Sequence, residues 1–173
     1  KTEANHIRFI SFEANRGKAE AVRQGSLSAI AAGARYVGYW DADLATPLNS
    51  ILEFISELKN NSHLLLVMGA RVQLLGRTIL RKRYRHYLGR VFATFASLVL
   101  RMPVYDTQCG AKMFVANEPV ALAFRDPFIS RWVFVVVILA RLVSRGNVNP
   151  QAAICEYPLF EWHDVKGSKI KPN

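Results

Sequence analysis

Residues 18–47 read KAEAVRQGSLSAIAAGARYVGYWDADLATP. Ala21, Val22, Leu27, Ile30 and Ala31 recur near helical spacing, and Gly33 is suited to stop the helix they predict over 18–33. The compact apolar run YVGYW then predicts a strand over 36–40, and Asp41-Ala42-Asp43 follows it directly. Upstream, IRFISF predicts a short strand over 7–12, with a polar turn at 13–17. Strand, helix, strand within about 35 residues is the βαβ pattern, which implies parallel pairing and a layered α/β fold.

The rest of the chain extends this reading. Thr46 as N-cap and Pro47 at the first helical position predict a helix through about residue 59. A buried strand is expected over 64–68, and the longest helix over 79–101. Beyond a loop at 102–107, the pattern predicts a strand over 111–116, a helix near 119–124 and a last strand near 153–157. The run at 134–142 is ambiguous, and FVVVIL within it has strong strand character locally. No repeat or linker interrupts the chain, so one domain over 1–173 is the economical expectation.

Composition narrows the class. Of 173 residues 51% are apolar and 21% charged, with ten Gly and seven Pro, which excludes disordered and low-complexity chains. The first residues lack a signal-peptide pattern, and no apolar run approaches the roughly 20 residues of a membrane span. Two cysteines, Cys109 and Cys155, without CxxC spacing make neither a disulfide framework nor a zinc site, and a reduced compartment is the default. The net charge of +10 calls for an acidic partner or surface. Between residues 58 and 105 there is no Asp or Glu, yet nine Lys and Arg residues lie there, so one segment owns nearly all the basicity. Its helical half from 81 is basic and then apolar, the pattern of an interfacial membrane helix, with a solvated helix face as the plain alternative. No helix-turn-helix, zinc-finger or RNA-binding signature accompanies it, so nucleic acid is not the expected partner.

Several residues are candidates for chemistry. In an extended strand, positions i and i+2 share a side, so Asp41 and Asp43 would point together at the carboxyl edge, where open α/β sheets place ligands. Two hard oxygen donors suit Mg²⁺ or Mn²⁺ shared with substrate phosphates. The plain alternative is a polar loop with one Asp capping a turn. Asn15-Arg16-Gly17-Lys18 lacks the earlier Gly and the following Ser or Thr of a phosphate loop, which excludes that class of nucleoside triphosphatase. Activating the Cys109 thiol would need a cationic neighbour or base, and the adjacent Asp106 works against it, so Cys109 reads as a small buried residue. The four histidines show no zinc spacing.

Seven ordered blocks carry a resemblance: NRGKAEAVRQG (15–25), DADLATP (41–47), GARV (69–72), RKRYRHYLGRVF (81–92), DTQCGAKMF (106–114), RWVF (131–134) and EWHDVKGSK (161–169). Together they resemble the family 2 glycosyltransferases of the dolichyl- and polyprenyl-phosphate hexosyltransferase branch. The resemblance implies a GT-A type, Rossmann-like α/β/α sandwich with a mixed, mostly parallel sheet, here lacking the first N-terminal strand or strands. It also implies inverting transfer from a nucleotide sugar to a polyprenyl or dolichyl phosphate on the cytoplasmic face of a membrane. Glucose from UDP-glucose is favoured and mannose from GDP-mannose comes next.

Carried onto these blocks, Asp41 and Asp43 become ligands of Mg²⁺ or Mn²⁺ and of the donor diphosphate. Lys18 contacts substrate, and Asp106 joins the two acids as a catalytic candidate. Arg71, Arg85 and Arg131 are candidates for the acceptor phosphate, Ser168 and Lys169 for either phosphate. Two departures stand out. The family's opening nucleotide-base segment has no counterpart after Lys1, so this chain by itself is expected to be inactive, and Val135 and Val137 stand where the family's RWxFDxE block has an Asp and a Glu. The family places a helix over 134–145.

Overall fold

Lys18 and its neighbours form α1 (Gly17–Ala31), and Gly33 follows with φ of +80°, its amide donating to the Ile30 carbonyl at 2.9 Å. The chain then enters β1 (Tyr36–Trp40), with the bounds its apolar run predicts. This computed structural model describes residues 7–130 and 132–165. The elements that follow are α2 (Ser50–Asn60), β2 (Leu66–Ala70), β3 (Thr78–Leu80), α3 (Arg83–Leu100), β4 (Ala111–Val115), α4 (Glu118–Arg125), α5 (Phe134–Arg145), α6 (Pro150–Ala153), β5 (Ile154–Pro158) and β6 (Glu161–His163).

The main sheet has the order β1-β4-β2-β5. Strands β1, β2 and β5 run one way, and β4 runs against them between β1 and β2, so the sheet is mixed with three of its four strands in one sense. Alternation along β2 divides the core. Leu66 and Met68 join α1, α3, α4 and α5 residues on one face, while Val67 faces α2, Leu159 and Trp162 on the other. All five β2 residues are buried, as a central strand covered on both faces requires. The result is a three-layer α/β/α arrangement, with β3 and β6 pairing in parallel as a small second sheet.

Three expectations fail locally. Residues 7–12 form no strand, and Phe9 is 92% exposed; apolar alternation without a partner strand or a covered face does not hold an extended segment. Thr46 does not cap α2. Instead Pro47 sits in a turn whose carbonyl accepts from the Ser50 amide and hydroxyl, and α2 starts at Ser50 with Asn49 as N-cap. Helix α3 starts at Arg83, because Thr78–Leu80 pairs with Glu161–His163 and sheet pairing outweighs helix pattern there.

The run FVVVIL resolves as helix. Phe134, Val135, Ile138, Leu139 and Leu142 are buried on one face of α5, a 3.6-residue period that a strand would not produce. Among the described residues no helix is long and apolar enough to cross a membrane.

Candidate functional site

β1 delivers Asp41 to the carboxyl edge of the sheet, and β2 delivers Arg71. Because β4 runs the other way, the loop before it, residues 106–110, reaches the same edge. Sequence positions more than sixty residues apart thus converge by topology alone.

Asp41 is fixed from two sides. Its amide donates to the Gly110 carbonyl at 2.9 Å, and its carboxylate pairs with Lys18 from the first turn of α1. A Cβ at Gly110 would lie 2.2 Å from the Asp41 carboxylate carbon, so only glycine allows this approach. Helix α1 is itself anchored by Arg23, which holds Glu20 at 2.7 Å and donates to the Arg125 carbonyl at 2.8 Å at the end of α4.

The extended conformation stops at Trp40. Residues 41–44 form a turn, with the Leu44 amide donating to the Asp41 carbonyl at 2.9 Å and Leu44 at a φ of +52°. Strand alternation therefore does not set the placement of Asp43; the turn does. One Asp43 oxygen accepts from the Ala45 amide at 3.1 Å, so the capping alternative is realised as well. Both acids nonetheless line one cavity of about 610 Å³ with Lys18, Tyr39 and Trp132.

Among the described residues no cluster of three or more His, Cys, Asp or Glu side chains is placed to hold a metal. Two carboxylates at an open cavity mouth leave most positions of an octahedral cation to other oxygens. This donor set fits Mg²⁺ or Mn²⁺ shared with a diphosphate and does not fit a closed protein cage.

Beside this pair lies a buried one. Arg71 donates from Nε and Nη2 to the two Asp106 oxygens at 2.6 and 2.7 Å, and the Arg71 amide adds a third bond at 3.1 Å. Burial works to raise the Asp106 carboxyl, but Arg71 outweighs it and holds the group below the usual carboxylate range. Such a carboxylate is a poor proton acceptor. Glu156 supports the loop from β5, accepting from the Tyr105 and Asp106 amides at 2.7 Å each. Trp162 stacks near the Arg71 guanidinium, 5.2 Å from its ring centre.

Lys112 is fully buried, and its Nζ donates to the Cys109 carbonyl at 2.5 Å. Burial pushes its ammonium down to about 8. Cys109 is buried and unpaired, as expected, and burial raises its thiol.

Comparison with known proteins gives relatives of one kind. A dolichyl-phosphate β-glucosyltransferase of Dictyostelium discoideum is 31% identical over 177 aligned positions, covering 99% of this chain and 51% of the relative. Those of Saccharomyces cerevisiae and Homo sapiens are 30% and 27% identical, covering 98% and 99% of the chain and 51% and 52% of themselves. The chain is homologous to these polyprenyl-phosphate hexosyltransferases. It spans about half the length of the curated relatives it matches. No protein-family model matches it.

Of the candidate residues carried by the resembling blocks, five fall at the edge just described. Lys18, Asp41, Asp43, Arg71 and Asp106 meet there. Arg85 lies further along, on α3, where it pairs with Asp164 at 2.7 Å. Arg131, Ser168 and Lys169 lie outside the described residues. Val135 is buried in the core, and Val137 is half-buried beside Val99 in an apolar groove between α3 and α5.

Helix α3 turns an uncovered apolar stripe outward. Tyr84, Tyr87, Leu88, Val91, Phe95, Leu98 and Val99 are all exposed at spacings of one, three and four residues, while Ala93 and Ala96 pack inward.

Three site residues escaped the sequence reading. Lys112 stood in the quoted motif DTQCGAK without a task, and Glu156 in a strand with no motif. Arg81 lay in the basic run; its guanidinium crosses Gly89, its Nε is buried without a hydrogen-bond partner, and burial together with Arg71 lowers its pKa.

Proposed function

We propose that this protein transfers a hexose, with inversion, from a nucleotide sugar to a polyprenyl or dolichyl phosphate at the cytoplasmic face of a membrane. UDP-glucose is the favoured donor and GDP-mannose the next. The observation that carries the reading is the meeting of Asp41, Asp43, Lys18 and Arg71 at one sheet edge, in a chain whose relatives are dolichyl-phosphate β-glucosyltransferases. Residues 1–173 act in this reading as one glycosyltransferase domain.

Asp41 and Asp43 hold Mg²⁺ or Mn²⁺, which offsets the charge of the donor diphosphate. Lys18 reaches the same diphosphate. Arg71, Arg81, Arg85 and Arg131 face the acceptor phosphate, and Ser168 and Lys169 complete the phosphate contacts. That acceptor is already an anionic nucleophile, so the low proton affinity of Asp106 is no obstacle; its task is to hold Arg71. Positioning and charge neutralisation supply the catalysis. The apolar stripe of α3, following a basic first half, lies on an anionic membrane surface. Nucleic acid has no part in this reading.

Transfer of labelled glucose from UDP-glucose to a short polyprenyl phosphate in Mn²⁺, by a protein of the relatives' length that contains this chain, tests the proposal, with GDP-mannose as the competing donor. A second reading is a non-catalytic relative that binds membrane or a partner, and the apolar Val135 and Val137 favour it. Metal-dependent binding of a nucleotide sugar separates the two. Its absence, with vesicle binding retained, would replace the first reading by the second.

A further inference from the structure

Lys112 sits in the middle of the sheet with none of its surface exposed, and the function proposed above leaves it without a task. Burying an ammonium is costly, and an unbranched apolar side chain would fill the same space at less cost. Its surroundings show where the charge is directed. Lys112 stands on β4 opposite Tyr39 of β1 and Met68 of β2. From there its Nζ bonds a carbonyl three residues earlier in the chain, at Cys109, in the loop that reaches the carboxyl edge.

The next residue is Gly110. Its carbonyl accepts the Asp41 amide at 2.9 Å, and its missing side chain leaves the room in which the Asp41 carboxylate lies. One short backbone segment is therefore gripped by Lys112 at Cys109 and seats the first acid of the site at Gly110. Lys112 and Lys18 both approach the Tyr39 ring, each Nζ 5.7 Å from its centre, so the buried ammonium and the one paired with Asp41 share a neighbour.

We propose that Lys112 is a positioning residue for Asp41, holding the 109–110 backbone in the place that seats its carboxylate. The inference rests on the reading of Asp41 as a ligand of a cation and diphosphate. A hydrogen-bond donor is needed at the end of a long buried side chain, which explains why an apolar residue does not serve at this core position.

The test uses the full chain, wild type and Lys112→Met, with amide hydrogen exchange followed at Asp41 and at Leu159, whose amide donates to the Ala70 carbonyl at 3.0 Å. The variant should exchange about tenfold faster at Asp41 with Leu159 unchanged, because only the local opening becomes easier. Mn²⁺ affinity should fall with it, and Lys112→Arg, which keeps a donor, should recover part of the protection at Asp41. Unchanged exchange at Asp41, or equal acceleration at Asp41 and Leu159, would overturn the proposal and leave Lys112 a component of general stability. If Met at 112 prevents folding, Lys112→Gln, with a shorter reach, carries the same comparison and the same reversal. A wild-type chain that binds no Mn²⁺ would count against the metal reading, while the exchange comparison still decides the role of Lys112.

Discussion

Arg71 and Asp106, 35 positions apart in the chain, meet in a two-pronged ion pair whose side chains are 10% and 7% exposed. Removing one partner strands the other charge in a dry site. Asp106→Asn should therefore cost about 3–5 kcal/mol in urea denaturation at neutral pH. A loss under 1 kcal/mol would mean that water reaches Arg71.

The same pair sets an acid limit. Asp106 titrates in the folded chain below its ordinary carboxylate value, so the unfolded chain takes up the proton first as pH falls. Its contribution is present above about pH 4, the unfolded value, and is lost as pH drops through the lower folded value. Wild type should lose stability across that acid window more steeply than Asp106→Asn does. Parallel curves would assign the acid limit to other carboxylates.

Lys18 occupies the Asp41 carboxylate, so a divalent cation must compete with it. Mn²⁺ should raise the melting temperature of the wild type by ligand linkage, about 2.7 kcal/mol at one hundred times Kd, and should not do so for Asp43→Ala. Lys18→Met should bind Mn²⁺ alone more tightly, because the competing ammonium is gone, yet bind a nucleoside diphosphate less tightly. Titration calorimetry on the three proteins checks both signs. Equal melting shifts in wild type and Asp43→Ala would remove Asp43 from the metal site.

What the sequence disclosed, and what it withheld, follow from range. Strand β1 and helix α1 are set by periodicity and by residues adjacent in the chain, and these were legible, whereas the turn that replaces the expected strand extension at 41–43 entered only as the plain alternative. The family resemblance, not local propensity, decided in favour of helix over FVVVIL. The Arg71–Asp106 pair, the support from Glu156 and the grip of Lys112 depend on β4 running against β1 and β2, which no local pattern specifies. Strands β3 and β6 are three residues each, too short to show a period, and their pairing takes residues 79 and 80 out of the expected helix. The strand expected over 7–12 shows the converse, a sound local pattern without a partner.

The outward stripe of α3 predicts a lipid contact with separable parts. Phe95→Asp and Leu98→Asp change exposed side chains, so folding stability should move by only about 0.5 kcal/mol. Co-sedimentation with anionic vesicles should nevertheless drop in both variants, and in the wild type it should weaken as salt rises, since each basic residue near the surface contributes about 1 kcal/mol that salt screens. Wild-type binding to neutral vesicles that salt does not alter would exclude the electrostatic share. Variants that sediment as well as the wild type would place the contact elsewhere.

Val135 gives the last prediction, because the resemblance and the packing pull in opposite directions there. The family pattern has an acid at this position, yet Val135 is 4% exposed, on the same face of α5 as Phe134, Ile138, Leu139 and Leu142. An aspartate there would lose its hydration among apolar side chains, so Val135→Asp should cost about 2–4 kcal/mol and lower the melting temperature. Val137 is half-buried at the rim of the groove beside Val99, where a glutamate can swing its carboxylate to water, so Val137→Glu should be nearly neutral. Restoring both acids should therefore destabilise the fold by the cost of the first alone and leave sugar transfer no faster. Urea denaturation of the two single variants and the double, with transfer measured under folding conditions, decides the matter. A stable Val135→Asp protein with increased turnover would show that an acid at 135 finds a cationic partner in the site, and that the apolar face of α5 is not what selected valine.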